Sequence, residues 1–176
     1  MKVLLSESEI RRGVRRMAED IARHYQGQPL TILAVMTGSV VLLADLIRLL
    51  DLPLRVGVLQ ASSYRAGTTR GELTINYDLM PDVANRDVLL VDDIFDTGHT
   101  LEAITRLLAG MGPRGVRTAV LLRKQGRSEV ALQPDFVAFE IPDEFVVGYG
   151  LDYRDQFRHL PFVAALSESD IARAAR

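Results

Sequence analysis

The part of the chain that most suggests chemistry is a short apolar segment, Val88–Val91, that runs directly into polar residues. These are three acids, two threonines, a glycine and a histidine: Asp92, Asp93, Asp96, Thr97, Gly98, His99 and Thr100. Apolar residues then recur at helical spacing from Leu101 to Leu108. A short apolar run bounded by charge is typical of a buried parallel strand. We therefore expect the polar residues on a strand-to-helix turn.

Such a turn offers a phosphate site beside a diol site. The free N–H groups and the dipole at a helix N-terminus favour a phosphate, and open α/β sheets bind ligands at the carboxyl ends of their strands. The adjacent carboxylates of Asp92 and Asp93 suit the vicinal hydroxyls of a ribose, or a Mg²⁺ ion. A simple capping role for these acids is the weaker alternative, because buried acids are costly without partners. The turn therefore indicates a ribose 5-phosphate.

The composition fits one soluble globular domain. The chain has 176 residues, of which 48% are hydrophobic and 25% charged. A net charge of −2 gives no sign of a nucleic-acid-binding surface. The chain has no Cys, which excludes disulfides and thiolate chemistry. The apolar stretch at the N-terminus is too short for a signal peptide. Asp45 and Arg48 interrupt the longest apolar run, so no membrane-spanning helix is predicted. We expect a single domain over residues 1–176 in the cytoplasm, with no nucleic-acid or membrane partner.

Alternating strand and helix patterns predict a mostly parallel sheet covered by helices. Helices are predicted at about Glu7–His24, after a capping-box spacing of Ser6 and Glu9, and at Val40–Leu50. Strands are predicted at Leu30–Met36, Leu54–Leu59, Glu72–Asp78, Val88–Val91, Val116–Leu122 and Phe136–Ile141. The polar stretch Ser62–Gly71 predicts a loop. The tail Ser167–Arg176 predicts a short helix or a frayed end.

A second strand–turn–helix unit is centred on Thr37, Gly38 and Ser39. It offers another anion site through its backbone amides and the hydroxyls of Thr37 and Ser39. Taken alone, this sequence is more simply an ordinary strand–helix turn. The three histidines are scattered along the chain, so no zinc site is indicated.

Two stretches resemble one enzyme family. VLLVDDIFDTGHT resembles the signature of type I phosphoribosyltransferases, which bind phosphoribosyl pyrophosphate (PRPP), and the acid at Asp96 is similar to the hypoxanthine–guanine branch. LLRK, followed by PDFVAFEIPDEFVVGYGLDY, resembles the same enzymes, and the resemblance runs from about Ser6 to Phe162. It implies the type I phosphoribosyltransferase fold, with a flexible catalytic loop and a small hood. It also implies transfer of 5-phosphoribosyl from PRPP to N9 of hypoxanthine or guanine, with release of pyrophosphate.

The resemblance implies a role for each candidate residue around PRPP. Asp96 would be the general base. Seven residues would hold the ribose, the 5′-phosphate or the metal. Asp92 and Asp93 would take the ribose hydroxyls or second-shell waters; the 5′-phosphate would be cradled by Thr97, Gly98, His99 and Thr100; and Asp152 would bind Mg²⁺. The pyrophosphate would lie on Thr37, Gly38, Ser39 and Arg158. A cis peptide bond would precede Thr37, a position where the family commonly has a basic residue.

The resemblance also implies how the base is held. Lys124 would donate to the purine 6-oxo group, Phe145 would stack over the base, and the backbone of Val146 would read its edge. Ser63 and Tyr64 would belong to the loop that closes over the substrates and excludes water.

Two alternatives remain open from the sequence. A regulator with this fold would bind nucleic acid and respond to PRPP or nucleotides, because fold does not fix function. The mildly acidic charge and Asp96 weigh against it, since pyrimidine-operon attenuators carry a non-acidic residue there. Among enzymes, a xanthine- or uracil-preferring phosphoribosyltransferase is the nearer rival. An apolar stripe on the second helix favours a homodimer or homotetramer.

Overall fold

A six-stranded, mostly parallel sheet brings the candidate residues to one edge. The computed structural model describes residues 1–63, 73–167, 169–170 and 172. The strands are β1 (Lys2–Leu5), β2 (Leu30–Met36), β3 (Leu54–Ser63), β4 (Leu73–Asn76), β5 (Asp87–Phe95), β6 (Gly115–Lys124), β7 (Phe136–Ile141), β8 (Val146–Val147) and β9 (Val163–Ala165). The helices are α1 (Glu7–Tyr25), α2 (Val40–Leu49) and α3 (His99–Ala109). The predicted α/β fold is confirmed.

The strand order in the large sheet is β4-β3-β2-β5-β6-β7, and only the β3–β4 pair is antiparallel. Successive side chains of a strand point to opposite faces. In β5, Leu89 and Val91 join the core beneath α1 and α2, whereas Val88 and Leu90 join the core beneath α3. Both faces are thus covered, which explains why these strands are continuously apolar rather than alternating.

Helix α1 begins as its sequence predicts. The Ser6 side chain accepts from the Glu9 N–H, and the Glu9 side chain accepts from the Ser6 N–H, which completes a capping box. The helix packs against β7 and α2 through its apolar stripe. Among the described residues, no helix is long and apolar enough to cross a membrane.

Three strands are longer than predicted, and one of them is β6, which runs from Gly115 to Lys124 and not only from Val116 to Leu122. We expected β5 to end at Val91, but it continues to Phe95, so Asp92 and Asp93 lie in the strand and not on the turn. Backbone pairing with β6 sustains this extension, since Ile94 pairs with Leu122 and Phe95 with Arg123. Likewise β3 continues to Ser63, because β4 pairs with its polar end. The remainder of the predicted loop, including Tyr64, lies outside the described residues.

A small antiparallel sheet of order β1-β9-β8 forms a hood that the sequence patterns did not predict. Its strands are two to four residues long, too short to give a periodic pattern. The hood carries the segment from Phe145 to Leu160 beside the end of β2.

Gly13 marks a close approach of α1 to β7. A Cβ at this position would overlap the ring of Phe139. Alanine usually stabilises a helix by about 1 kcal/mol relative to glycine. Here we expect Gly13→Ala to lower the free energy of unfolding by about 1–3 kcal/mol, the usual cost of overpacking. Urea unfolding measures it, with Gly110→Ala as the control, because a Cβ at Gly110 has room. A more stable Gly13→Ala protein would contradict this packing.

Candidate active site

A cleft of about 300 Å³ opens at the carboxyl ends of β2 and β5. Most of its lining comes from two strand–turn–helix units: Gly38 follows β2, and the second unit contributes Asp92 and Asp93 at the end of β5, Asp96, Thr97 and Gly98 in the turn, and Thr100 at the start of α3. Neighbouring parallel strands end at the same edge of a sheet, so their connections meet there. The structure therefore brings both candidate anion-binding turns into one site.

The turn before α3 has the features of an anion site. Gly98 precedes the helix with φ +88°, and no side chain caps the helix N-terminus. The first N–H groups of α3 therefore have no side-chain acceptor, and a phosphate could take that place. A Cβ at Gly98 would overlap Phe95 and Val130. Glycine is thus required both by the positive φ and by the packing beneath the turn.

Asp92, which is buried, and Asp93, which is half-buried, form an acidic pair near the end of β5. Asp92 accepts a hydrogen bond of 2.9 Å from the Asp93 N–H. Burial raises the pKa of Asp92 well above its ordinary value, and the neighbouring Asp93 charge adds to this effect. Burial also raises the pKa of Asp93, although hydrogen bonds and the Arg158 guanidinium act in the opposite direction. Such a pair is best satisfied by a ligand that brings donors or a cation.

The turn after β2 packs directly on this pair. A Cβ at Gly38 would overlap the Asp93 carboxylate. The peptide bond between Met36 and Thr37 is cis, as the resemblance implied. Thr37 is exposed. Ser39 differs from expectation, because its hydroxyl is fully buried and donates 2.5 Å to the Val35 carbonyl. Its hydroxyl therefore stabilises the turn, and only its backbone could face an anion.

Arg158 reaches the same turn from the hood. Its guanidinium donates 2.7 Å to the Gly150 carbonyl and lies 2.8 Å from Asp152 Oδ1. Gly150 has φ +100°, and a Cβ there would overlap the Gly38 carbonyl. Asp152 also accepts 2.8 Å from the Asp155 N–H. The predicted pyrophosphate and metal residues are therefore neighbours in the structure.

Asp96 lies between two cations. Its Oδ1 is 2.9 Å from Arg127 Nε, and its Oδ2 is 3.2 Å from Lys124 Nζ. Lys124 is also 3.2 Å from Asp143 Oδ1. Partial burial acts to raise the pKa of Asp96, but the hydrogen bonds from Arg127 and Lys124 outweigh it. The pKa of Asp96 therefore lies below its ordinary value, so the carboxylate is ionised at neutral pH.

The predicted base-binding residues lie beside Asp143. Phe145 is 47% exposed. Its ring makes an edge-to-face contact with the ring of Tyr153, and the two ring centroids are 5.6 Å apart. Leu166 N–H donates to the Phe145 carbonyl, and Val146 pairs with Ala165 at the edge of the hood. Val146 thus occupies a non-hydrogen-bonded position, with its own N–H and C=O pointing away from β9. An exposed aromatic face and a free backbone edge suit a planar heterocycle.

Sequence reasoning missed four residues of this site. Arg127, Glu129, Asp143 and Tyr153 lie in irregular segments, where no periodicity marks them. Glu129 N–H donates 3.0 Å to the Thr97 carbonyl, and its carboxylate lies 2.9 Å from His99 Nε2. His99 is therefore paired at the rim of the Thr97–Thr100 turn, the candidate phosphate turn. The acid in the stretch IPDEF was the one available signal for Asp143.

The site suits a cation held largely by its substrate. Among the described residues, no group of three or more His, Cys, Asp or Glu side chains could by itself hold a metal ion. The acids present offer only carboxylate oxygens, the donors that Mg²⁺ prefers. Asp152, whose carboxylate is 28% exposed and contacts Arg158, fits a Mg²⁺ ion that draws its other ligands from phosphate and water.

The raised pKa of Asp92 predicts a pH-dependent stability. A folded-state pKa above the unfolded value adds stability at low pH, which is lost as pH rises from about 4 through the folded pKa. The side chain of Asp92→Asn cannot ionise, so the free energy of unfolding of the variant should increase relative to that of the wild type as pH rises. We expect the difference in free energy of unfolding between the two proteins to change by about 1.4 kcal/mol for each unit by which folding raises the Asp92 pKa. Urea unfolding between pH 4 and pH 8 measures this difference. Parallel curves for the two proteins would contradict a buried, destabilised carboxylate.

Comparison with known proteins agrees with this geometry. The family described as "Phosphoribosyl transferase domain" matches residues 2–154. The chain is 41% identical over 165 residues to a hypoxanthine-guanine phosphoribosyltransferase of Staphylococcus epidermidis, covering 93% of this chain and 92% of that protein. A Staphylococcus aureus protein of the same name is 39% identical over 166 residues, covering 94% and 93%.

Solved structures show the same likeness. A hypoxanthine phosphoribosyltransferase from Staphylococcus aureus superposes with a TM-score of 0.90 at 38% identity, covering 96% of this chain and 92% of that chain. A hypoxanthine phosphoribosyltransferase from Trypanosoma cruzi gives 0.92 at 34% identity, covering 100% and 96%. The acidic pair, the uncapped phosphate turn and Asp96 stand in a fold shared with these enzymes. The chain belongs to the hypoxanthine–guanine phosphoribosyltransferase family of PRPP-dependent enzymes.

Proposed function

We propose that this protein transfers 5-phosphoribosyl from PRPP to N9 of hypoxanthine or guanine, yielding IMP or GMP and pyrophosphate. One observation carries the proposal: an ionised acid paired with a lysine, Asp96 and Lys124, lies beside a buried acidic pair and an uncapped helix N-terminus. The relatives named above carry hypoxanthine or hypoxanthine-guanine phosphoribosyltransferase in their names.

PRPP would lie across the two turns. The N–H groups at the start of α3, with the hydroxyls of Thr97 and Thr100, would bind the 5′-phosphate. Asp92 and Asp93 would accept from the ribose hydroxyls, which would offset their burial. The amides of the Thr37–Ser39 turn and Arg158 would hold pyrophosphate. Binding a phosphoribosyl donor at three places fixes its anomeric carbon relative to the incoming base.

Asp152 would hold Mg²⁺ together with oxygens of the substrate. When bound, this ion neutralises the developing charge of the pyrophosphate leaving group. Arg158, which contacts Asp152 directly, would keep that carboxylate oriented and add positive charge beside the leaving group.

Asp96 would act on the base. As N9 attacks the ribose, the purine must lose a proton, and an ionised carboxylate beside it can accept or share that proton. Phe145 would cover one face of the purine, and the backbone of Val146 would contact its edge. Ser63, at the end of β3, and Tyr64 would belong to a segment that closes over the substrates and excludes water from the electron-poor ribosyl centre.

The exposed side chains of α2 and β3 support self-association. Val40, Leu49 and Val56 are large apolar residues with substantial exposure on neighbouring elements. We infer a homodimer or homotetramer, which sedimentation equilibrium of the full chain would measure. The cysteine-free sequence is in keeping with a cytoplasmic enzyme.

A steady-state assay with PRPP and each of five bases tests the function: hypoxanthine, guanine, xanthine, adenine and uracil. Turnover of hypoxanthine or guanine with release of pyrophosphate is the expected result. Turnover of xanthine or uracil alone would favour the rival enzymes. Absence of turnover together with tight RNA or DNA binding would favour a regulator.

Asp96→Asn tests the general base. The substitution keeps the size of the side chain but removes its basicity, so we expect kcat to fall by roughly 10²–10⁴-fold with little change in PRPP affinity. Asp51→Asn, at an exposed position remote from the cleft, is the matched control. Turnover of hypoxanthine at the wild-type rate would remove Asp96 from this role.

Lys124→Ala tests base choice. A lysine donates to a 6-oxo group but cannot accept from a 6-amino group, so adenine would leave both groups unsatisfied. Such mismatches reach roughly 10⁴–10⁵-fold in kcat/KM. We expect the wild type to reject adenine. Lys124→Ala should lose activity on 6-oxopurines, so that the ratio of kcat/KM for hypoxanthine to kcat/KM for adenine decreases. Lys2 is the chain's other lysine and is exposed at the hood, so Lys2→Ala is the control. An unchanged preference in Lys124→Ala would contradict the assignment.

Asp152→Ala tests the metal site. We expect activity to require Mg²⁺ or Mn²⁺, and the variant to need a higher Mg²⁺ concentration for half-maximal rate, because one oxygen ligand is lost. Asp155→Ala is the control, since its side chain is 97% exposed and lies three residues away. Full activity after exhaustive EDTA treatment would contradict metal assistance.

A further inference from the structure

Both oxygens of Asp96 are occupied before any substrate binds. Arg127 Nε donates to Oδ1 and Lys124 Nζ donates to Oδ2. A carboxylate in this state is held in place, and each oxygen keeps a further lone pair that could accept from a purine. The two cations nevertheless make Asp96 a weaker base, so its basicity would rise if one of them withdrew when a purine entered the cleft.

The two cations differ in how they are held. Lys124 has a second acceptor, Asp143 Oδ1, also at 3.2 Å. An ammonium has three donors, so Lys124 can keep Asp143 and exchange Asp96 for another acceptor. Arg127 lies 3.6 Å from Asp143, farther than from Asp96. Lys124 is thus suited to release Asp96, and Arg127 to stay.

The segment that carries Arg127 is attached to the phosphate turn. Glu129, two residues on, donates its N–H to the Thr97 carbonyl and pairs with His99 at 2.9 Å. Val130 packs against Gly98, where an added Cβ would overlap it. Arg127 is therefore held by the same turn that follows Asp96, which fixes the two side chains relative to each other.

We propose that Arg127 is a positioning residue for Asp96: it anchors Oδ1, while Lys124 covers Oδ2 until a 6-oxo group draws it away. The inference rests on the proposed function, in which Asp96 is the base and Lys124 the partner of the purine. A 6-oxopurine would then raise the basicity of Asp96 as it binds. Adenine offers Lys124 no 6-oxo acceptor, so Lys124 would stay on Oδ2 and keep Asp96 a weaker base, which adds to the discrimination by Lys124 itself.

The charges around Asp96 determine the direction in which its pKa should change when Arg127 is replaced. Lys124 and Arg127 face Asp96 directly, and Asp143, Glu129 and His99 lie behind them. Removing Arg127 takes away a cation that favours the carboxylate, so the pKa of Asp96 should rise. The acid limb of the kcat–pH profile should move to higher pH with it.

The experiment compares Arg127→Gln and Arg127→Lys with Arg123→Gln in the full chain. Arg123 is the matched control, because it pairs with Glu140 on the neighbouring strand and does not contact Asp96. For Arg127→Gln we expect kcat with hypoxanthine to fall roughly 10–100-fold through misplacement of the base. We also expect the acid limb of its kcat–pH profile to lie at higher pH and its KM for PRPP to be nearly unchanged. Arg127→Lys should restore the acid limb but only part of kcat, because a lysine keeps the charge and loses the fixed geometry.

The pKa of the Asp96 carboxyl is read separately, by ¹³C NMR titration assigned with Asp96→Asn. A rise in Arg127→Gln and none in Arg123→Gln is expected. An unmoved pKa, or equal losses of kcat in both Arg127 variants with unmoved acid limbs, would overturn the proposal. Arg127 is 41% exposed, so we expect folding to survive; if Arg127→Gln does not fold, a wild-type kcat in Arg127→Lys would overturn it. A wild type without PRPP-dependent turnover would defeat the proposed function alone, since the titration reports the contact directly.

Discussion

The parallel pairing of β2 and β5 is the constraint on which the site depends. Its register matches Ala34 with Val91, which brings the end of β2 level with Asp93. Gly38 then packs on the Asp93 carboxylate with no room for a Cβ. Gly150 packs in the same way on Gly38 and brings this part of the hood, which also carries Asp152 and Arg158, to the turn after β2. Each contact requires the previous one, so a single strand register sets the spacing of the positions proposed for ribose, pyrophosphate and metal.

The register of β5, β6 and β7 sets the other half of the site. Phe95 pairs with Arg123, so the next residues, Asp96 and Lys124, emerge side by side. Lys124 pairs with Ile141, and Asp143 follows two residues later. The ends of these three neighbouring strands therefore carry an acidic, a basic and an acidic side chain in turn. Asp96 consequently has a lowered pKa, while Asp92 and Asp93, four and three residues earlier, have raised ones. Opposite pKa shifts in acids so close along the chain are the expected sign of different roles.

The sequence predicted most of this fold because its strands are buried on both faces. The strands Leu30–Met36 and Phe136–Ile141 were predicted to the residue, and the family and fold class are confirmed. The pattern failed where backbone pairing, not side-chain burial, extends a strand, as from Asp92 to Phe95 and from Gln60 to Ser63. The candidate residues were found by resemblance and local chemistry. Their partners Arg127 and Glu129 were not, since a contact between irregular segments leaves no periodic signal.

The placement of positive charge explains why those partners matter. Neither anion-binding turn contains Lys or Arg: one reads Thr37-Gly38-Ser39 and the other Thr97-Gly98-His99-Thr100. The turns offer backbone amides at helix N-termini, whose effect falls off within one helical turn. Long-range positive charge must therefore come from elsewhere in the chain. Arg158 arrives from the hood, and Lys124 and Arg127 arrive from the end of β6 and the segment beyond. Each of the three is held by an acid of the site itself, so the anion that binds there must compete with Asp96, Asp143 or Asp152 for it. This competition favours a substrate that delivers its own cation and its own hydrogen-bond acceptors together, as a metal-bound PRPP with a 6-oxopurine would.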